Sequence, residues 1–309
     1  MSSSYRPVVA IAGLGGVLGQ ATLDALLSPQ FASSFQLPIR VLMRDPSRFG
    51  GPVHPAGMAA YLGVDYEDPE VLDDALENVD VVINLLGMYP RSWISLGDAA
   101  YRCGAKLYIP SEFGPDHRMF TFPSPLSVKQ EQSQRSREDG IKTVQIFCGM
   151  LMDYVIPSGS WFGVDLPNRH IDAVVPGGGR AEPKISFTSI GDVAMAIASV
   201  ARRRPSTLPD VIHIAGDTCT LRQLGEHWQT ITRSRVHVAT TDLASFRQGV
   251  LERGSSNLAL YYRLAAGEGL LNYGSSNANS WLSTGVQWQW KSIQQQIAVF
   301  AKSYRKINA

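Results

Sequence analysis

The sequence predicts an α/β protein, a doubly wound parallel sheet with a smaller C-terminal lobe. Three observations predict it. Short, continuously apolar runs alternate with helix-period segments from Val8 to Phe147, and strands spaced by helices in this way form βαβ units. The first run leads straight into a glycine-spaced turn, Gly13 to Gly19, which opens a helix. Past about residue 150 the alternation loosens into a stretch with several Gly and Pro.

Val8 to Ala12 is apolar throughout, as a strand covered on both faces must be. Gln20 to Leu27 has helical spacing and stops at Ser28-Pro29. Ile39 to Met43 is the second strand, ended by Arg44-Asp45-Pro46-Ser47, and Leu62 to Asp65 the third. Val71 to Leu76 is helical behind an Asp-Pro start signal, and Val79 to Leu86 is the fourth strand. Ile94 to Cys103 is a helix capped by Gly104, and Lys106 to Ile109 the fifth strand. Ser127 to Asp139 is a helix capped by Gly140, and Thr143 to Phe147 the sixth strand. Ile185 to Thr188, Ile190 to Ala201 and Val211 to Ala215 read as strand, helix and strand that return to the sheet. Residues 1–150 and 185–215 then form a nucleotide-binding unit, and 151–184 with 216–309 a substrate-binding lobe. Arg202-Arg203-Arg204 reads as a solvated helix end.

Composition narrows the function classes. With 44% hydrophobic and 18% charged residues the chain is globular. A net charge of +1 lacks the basic excess that broad phosphate neutralisation needs, so no nucleic-acid partner is expected. No apolar run of membrane-spanning length and no secretion signal stand out, so a cytoplasmic protein without a membrane partner is expected. Three scattered cysteines, Cys103, Cys148 and Cys219, form neither a disulfide framework nor a zinc spacing, and no metal is expected. A chain of this size fits a monomer or a homodimer.

The Gly13-x-x-Gly16-x-x-Gly19 spacing has a mechanical meaning. The first glycine permits the turn, the second lets backbone approach a pyrophosphate, and the third lets helix and strand pack closely. Free N–H groups of Val17 and Leu18 at the helix start hold the phosphate charge. The second strand ends in Arg44, with Arg48 nearby. Arginine at that tip suits a 2′-phosphate, where an acid would suit a ribose hydroxyl, so NADP(H) is favoured over NAD(H). The whole is a Rossmann-type arrangement.

The stretch Tyr108-Ile109-Pro110-Ser111-Glu112-Phe113-Gly114 resembles the NmrA-like and isoflavone-reductase-like branch of the atypical short-chain dehydrogenase/reductases. The glycine loop does too, with Gly15 where many plant members carry Thr, as do Lys129 to Ile141 and Ser186-Phe187-Thr188 through Asp192-Val193. The resemblance spans about residues 7–220 and is closer to fungal members around Asp116-His117-Arg118. It implies bound NADP(H). The nicotinamide is then expected near Leu85, Leu86 and Gly87, near Ser111, Glu112 and Phe113, and near Cys148, Gly149 and Met150. It also implies a catalytic lysine at Lys129.

Ordinary short-chain dehydrogenases use Tyr-x-x-x-Lys, yet none of the eleven tyrosines has Lys four residues later. Lys129 is the replacement. A lysine at a helix start opposes the macrodipole, which lowers its pKa, as does partial burial. Such a group serves as general acid or electrostatic stabiliser. Asp116-His117 is a second candidate pair for proton transfer. Glu112 is given a structural role. Met88, Phe113, Met152, Tyr154, Trp161 and Phe162 are candidates for an apolar substrate pocket.

Three functions fit these residues. The leading one is an NADPH-dependent reductase of a medium-sized apolar or aromatic secondary metabolite, with hydride transfer to C=O, C=N or conjugated C=C. A related enzyme would couple its redox step to cyclisation of an alkaloid-like intermediate. A dinucleotide-sensing regulator is the reading without catalysis.

Overall fold

The computed structural model describes residues 5–157, 161–178 and 181–307. The first half runs β1 (Val8–Ala12), α1 (Val17–Leu26), β2 (Gln36–Met43), β3 (Ala59–Gly63), α2 (Pro69–Leu76), β4 (Val81–Asn84), α3 (Pro90–Arg102), β5 (Leu107–Ile109), α4 (Ser127–Glu138) and β6 (Lys142–Thr143). Its six strands form one sheet in the order β3-β2-β1-β4-β5-β6, parallel throughout. The strand order reverses between β1 and β4, so a crevice opens at their carboxyl ends. Both faces are covered. Val9, Ile11, Leu23, Ile83 and Ile109 pack on one side, and Ala10, Leu72, Val82, Leu96 and Tyr108 on the other.

The expected elements recur with shifted ends. Strand β3 is Ala59–Gly63, not Leu62 to Asp65, because its pairing runs from Ile39 opposite Ala59 to Met43 opposite Gly63. Helix α1 starts at Val17 and so takes Gly19 into its first turn. Helix α3 starts at Pro90 rather than Ile94, with proline at a position whose missing N–H costs nothing. Strand β4 stops at Asn84, whose side-chain oxygen accepts from the Leu86 N–H at 3.0 Å and turns the chain out of the sheet.

The expected sixth strand is split. The N–H of Val144 donates to the Tyr108 carbonyl at 3.0 Å, while the next N–H, of Gln145, donates to Asp210 at 2.9 Å. The chain thus changes neighbour within one residue. It continues through β7 (Gln145–Phe147), β8 (Met150–Leu151), α5 (Met152–Val155), β9 (Val164–Asp165), β10 (His170–Val175), β11 (Ile185–Thr188), α6 (Ile190–Ala201), β12 (Val211–His213) and β13 (Asp217–Cys219). Strand β12 lies parallel to β7, and β11 pairs with β8 and β13.

The chain closes with α7 (Leu221–Thr232), β14 (His237–Asp242), α8 (Leu243–Arg253), α9 (Leu258–Gly267), α10 (Asn279–Leu282) and α11 (Ile293–Ile307). Strand β10 pairs in parallel with β14 and antiparallel with β9. This small sheet had no clear period in the sequence. It and its helices enclose a second core that includes Phe162, Ile171, Leu224, Trp228, Leu264 and Ile297. Asp192 ties the C-terminal segment to α6, accepting from Trp288 Nε1 at 2.8 Å and the Lys291 N–H at 3.0 Å. The arginine run is more than a solvated helix end. Arg202 donates to the Thr284 carbonyl, and Arg203 donates to the Trp281 carbonyl with its guanidinium 4.4 Å from the Trp281 ring centre.

Candidate functional site

The glycine turn sits at the crevice. Gly13 has φ +100°, and a Cβ there would lie 2.5 Å from the Leu85 carbonyl carbon. Only glycine accepts that conformation and that approach. A Cβ on Gly19 would lie 2.4 Å from the Gly13 oxygen, so the third glycine is where helix meets turn. A Cβ on Gly15 would meet nothing within 4 Å, because the backbone there faces open space. Gly16 is the N-cap of α1 and no side chain caps that end, so the helix presents N–H groups to the crevice.

The crevice has a volume of about 770 Å³. Its walls include Gly13, Gly15, Gly16, Met43, Arg44, Arg48, Tyr66, Leu85, Leu86, Gly87 and Tyr89. Arg44 and Asp45 stand side by side at the tip of β2, but only one is committed elsewhere. The Asp45 carboxylate accepts from the Ser47 N–H at 3.0 Å and the Ser47 hydroxyl at 2.6 Å, and pairs with Arg48 at 3.1 Å. Arg44 has no ion pair among the described residues. Val17 and Leu18 are not among the walls: Val17 is exposed, and the Leu18 side chain packs on the core.

The loop after β5 is built from behind. Ser111 donates to the Leu86 carbonyl at 2.7 Å, joining the loops after β4 and β5. Lys129, in the first turn of α4, donates to the carbonyls of Ser111 at 2.6 Å and Glu112 at 3.0 Å. Burial lowers its pKa, and the charges of Glu112 and Cys148 offset part of that. Phe113 has φ +37°, a left-handed conformation unusual for a bulky residue, held by its N–H donating to the Ile146 carbonyl at 3.1 Å.

Glu112 points inward. It meets His117 Nε2 at 3.0 Å and accepts from Ser133 Oγ at 3.0 Å and Gln145 Nε2 at 2.8 Å. Burial alone would raise its pKa, but the hydrogen bond from His117 and the charge of Lys129 outweigh it, and the net shift is downward. The structural role expected of Glu112 agrees with this geometry.

Asp116 and His117 are not a pair. Asp116 binds Arg118 through Nε at 2.8 Å and Nη2 at 2.6 Å, and His213 Nε2 at 2.8 Å. His117 turns the other way, to Glu112, with its ring edge-on to Phe147. Both side chains are nearly inaccessible to solvent. They brace the loop, and the expectation of a proton-transfer pair is corrected: adjacent residues in a tight turn face different partners.

An apolar cavity of about 410 Å³ lies on the far side of that loop. It is lined by Phe113, Gly114, Pro115, Gly149, Met150, Leu151, Tyr154, Trp161, Leu258 and Tyr262. Phe113, Tyr154 and Trp161 were expected there. Gly149 and Met150, assigned by resemblance to the cofactor, line this cavity, and Cys148 is buried in the first core.

Three expectations fail. Phe162 and Met152 are wholly buried in the second core. Phe162 borders a void of about 10 Å³, room for one water at most. Met88 is exposed and lines neither cavity. Met152 and Phe162 turn to nearer partners in that core, while Met88 faces solvent. Leu258 and Tyr262 escaped notice. Their spacing of four on α9 puts them on one helix face, but nothing local says which cavity that face meets.

Fold and crevice define a doubly wound α/β protein of the Rossmann type. The chain belongs to the NmrA-like family, whose pattern matches residues 6–263. It is 27% identical over 178 residues to phenylcoumaran benzylic ether reductase from Nicotiana tabacum, covering 53% of this chain. The match spans 55% of that relative, about half its length. Isoflavone reductase superposes with a TM-score of 0.76 at 18% identity, covering 96% of this chain and 99% of that one. Leucoanthocyanidin reductase from Vitis vinifera, solved with NADPH, gives 0.71 at 17% identity, covering 95% and 99%. At such identities the two structures establish the fold. Among the described residues no group of three His, Cys, Asp or Glu could hold a metal, and no helix is long and apolar enough to cross a membrane.

Proposed function

We propose that the chain is an NADP(H)-dependent reductase of a medium-sized, apolar or aromatic molecule. The observation that carries this reading is the Ser111–Leu86 hydrogen bond of 2.7 Å. It joins the wall of the glycine-loop crevice, at Leu85 to Gly87, to the loop whose next residues, Phe113 to Pro115, line the apolar cavity. A dinucleotide along the crevice would bring its reactive end to that junction, beyond the carboxyl ends of parallel strands.

The residues present fit such a cofactor. The open backbone at Gly15 and the uncapped start of α1 suit a pyrophosphate. Arg44, free of any acidic partner among the described residues, suits a 2′-phosphate, and the commitment of Asp45 to Ser47 and Arg48 counts against a ribose hydroxyl. Bound NADPH would supply a hydride equivalent. Lys129 would hold Ser111 and Glu112 in place and set a positive charge behind the reacting centre, where negative charge develops on a reduced oxygen. Phe113, Met150 and Trp161 would exclude water from the substrate side. The Nicotiana tabacum relative, named as a reductase of an aromatic ether, supports the substrate class.

The test is binding of NADPH, NADP⁺, NADH and NAD⁺ to the purified protein, with Arg44→Ala beside it. Tight binding of the phosphorylated pair, weakened about tenfold or more in the variant while the other pair is unaffected, is the expected result; tenfold corresponds to about 1.4 kcal/mol. Absence of binding by all four would overturn the proposal.

A further inference from the structure

Three buried polar side chains line neither the crevice nor the apolar cavity: Asn84 at the end of β4, Tyr108 on β5 and Gln132 on α4. Asn84 and Tyr108 are wholly inaccessible to solvent, and Gln132 nearly so. The aromatic ring of Tyr108 packs in the core that holds Val82 and Leu96, where a phenylalanine would serve as well. Its hydroxyl needs another explanation. A polar atom is buried at a cost unless it is bonded, and apolar side chains at both ends of such a bond can be as stable without it.

The hydroxyl closes a circuit of contacts. It accepts from Asn84 Nδ2 at 2.9 Å and from Gln132 Nε2 at 2.5 Å, and donates to the Trp93 carbonyl at 3.5 Å. The Asn84 side-chain oxygen accepts from the Leu86 N–H at 3.0 Å, and the Leu86 carbonyl accepts from Ser111 Oγ at 2.7 Å. The Ser111 carbonyl in turn accepts from Lys129 Nζ at 2.6 Å. Lys129 and Gln132, three residues apart on α4, share a helix face, which returns the circuit to Tyr108. One hydroxyl thus joins the helix that carries the lysine to the strand end that sets the crevice wall.

We infer that Tyr108 is a positioning residue, its hydroxyl holding Lys129 in register with the crevice wall at Leu86, through Gln132 on one side and Asn84 on the other. Its meaning for function rests on the proposed reductase, since Leu86 and Ser111 form the junction to which the dinucleotide would bring its reactive end. Without the hydroxyl two amides lose their acceptor, and α4 is free to shift against β4. Water then reaches Lys129. The groups that face its ammonium are the Ser111 and Glu112 carbonyls, the Trp93 ring on α3 with its centre 5.7 Å away, the Glu112 carboxylate and the Cys148 thiol. Burial is the largest influence on it, so wetting moves it toward the ordinary lysine value.

The test is the titration of Lys129 in full-length protein, followed by NMR of isotope-labelled lysine, with Lys129→Met assigning the signal. The wild type, Tyr108→Phe, Gln132→Met and the double variant are compared, with urea melts beside them. Gln132→Met opens the circuit from the helix side and gives the reading should Tyr108→Phe not fold. The double variant is apolar at both ends of the broken bond, so it should recover most of the urea midpoint lost in Tyr108→Phe. The Lys129 titration should move upward by about half a unit or more in each single variant and stay moved in the double. An unchanged titration in both single variants would overturn the inference. So would a return to the wild-type titration together with stability in the double variant, the behaviour of a merely structural bond. NADPH affinity, read in parallel by nicotinamide fluorescence, separates the two readings. Binding to the wild type that weakens about 3-fold to 10-fold in Tyr108→Phe supports both. No binding to the wild type, with the Lys129 shift intact, sinks the reductase and leaves Tyr108 as the residue that holds the lysine.

Discussion

The Ser111 hydroxyl donates to the Leu86 carbonyl, which also accepts from Trp93 Nε1 at 3.2 Å. Two loops and a helix thus meet on one oxygen. Ser111→Ala removes one of its two donors and leaves the other. The expected stability loss is about 1 kcal/mol, a typical single hydrogen bond. The crevice wall loosens at the same time, so the dissociation constant for NADPH should rise several-fold. Urea melts and a cofactor titration on one preparation check both; an unchanged dissociation constant would detach this bond from the cofactor.

Lys129→Met keeps the stem and deletes the ammonium. The carbonyls of Ser111 and Glu112 then lose their donor, at about 1–3 kcal/mol for each group left buried without a partner. NADPH-linked turnover should nearly vanish. Turnover equal to wild type in a folded Lys129→Met would remove the lysine from the mechanism. Because burial holds the Lys129 pKa below the ordinary lysine value, turnover that needs the ammonium should fall with rising pH earlier than for an exposed lysine.

The glycines divide by what surrounds them. Gly19→Ala puts a methyl 2.4 Å from the Gly13 oxygen and 2.6 Å from the Leu14 Cα, both backbone atoms. It should destabilise the fold by about 2–4 kcal/mol, as overpacking against rigid atoms does. Gly15→Ala has free space around the methyl, so its melting temperature should stay within about 2 °C of wild type. Any loss it shows should lie in cofactor binding. Equal melting temperatures for the two variants would contradict the packing described for the turn.

Acid should attack the loop after β5. Burial alone would raise Asp116, but hydrogen bonds from Arg118 and His213 carry its pKa well below the usual carboxylate range, and Glu112 is lowered as well. A carboxylate depressed in the folded state contributes its stability above the unfolded pKa, about 4, and loses it as pH falls through the folded value. Stability should therefore decline from about pH 4 downward, and that decline should be shallower in Asp116→Asn, which is less stable at neutral pH. Chemical denaturation across the acid range reads both slopes; identical slopes would contradict the pairing.

Burial pushes the Cys148 and Cys219 thiols up to about 12, while Cys103 is only half-buried. A thiolate-selective reagent should find Cys103 first, and all three thiols only after unfolding. Fast reaction of Cys148 in the native state would place it on an open cavity wall.

Much of this protein was legible in order of chain distance. The turn from Gly13 to Gly19, the alternation of apolar runs with helices, and Arg44 at a strand tip are each complete within a few residues. So is the position of Lys129 at a helix start. The boundaries of β3 and of the split sixth strand were not, since they depend on which neighbour offers a carbonyl, Met43 to Val64 just past β3 or Asp210 to Gln145. Asp116 and His117 show the limit most clearly. Their types suit proton transfer, but His213 lies 97 positions from Asp116 and takes one of its oxygens.

The sequence by itself determined the fold class, the glycine crevice and the arginine that suits a phosphate. These depend on backbone sterics and hydrophobic period, which act over one turn or one strand. Only the tertiary structure decided that Glu112 is a brace, that Phe162 belongs to the core, and that Tyr262 reaches the apolar cavity. Those outcomes depend on which buried faces of distant segments meet, and a polar group's role is set by whether the partner it finds there is protein or open space.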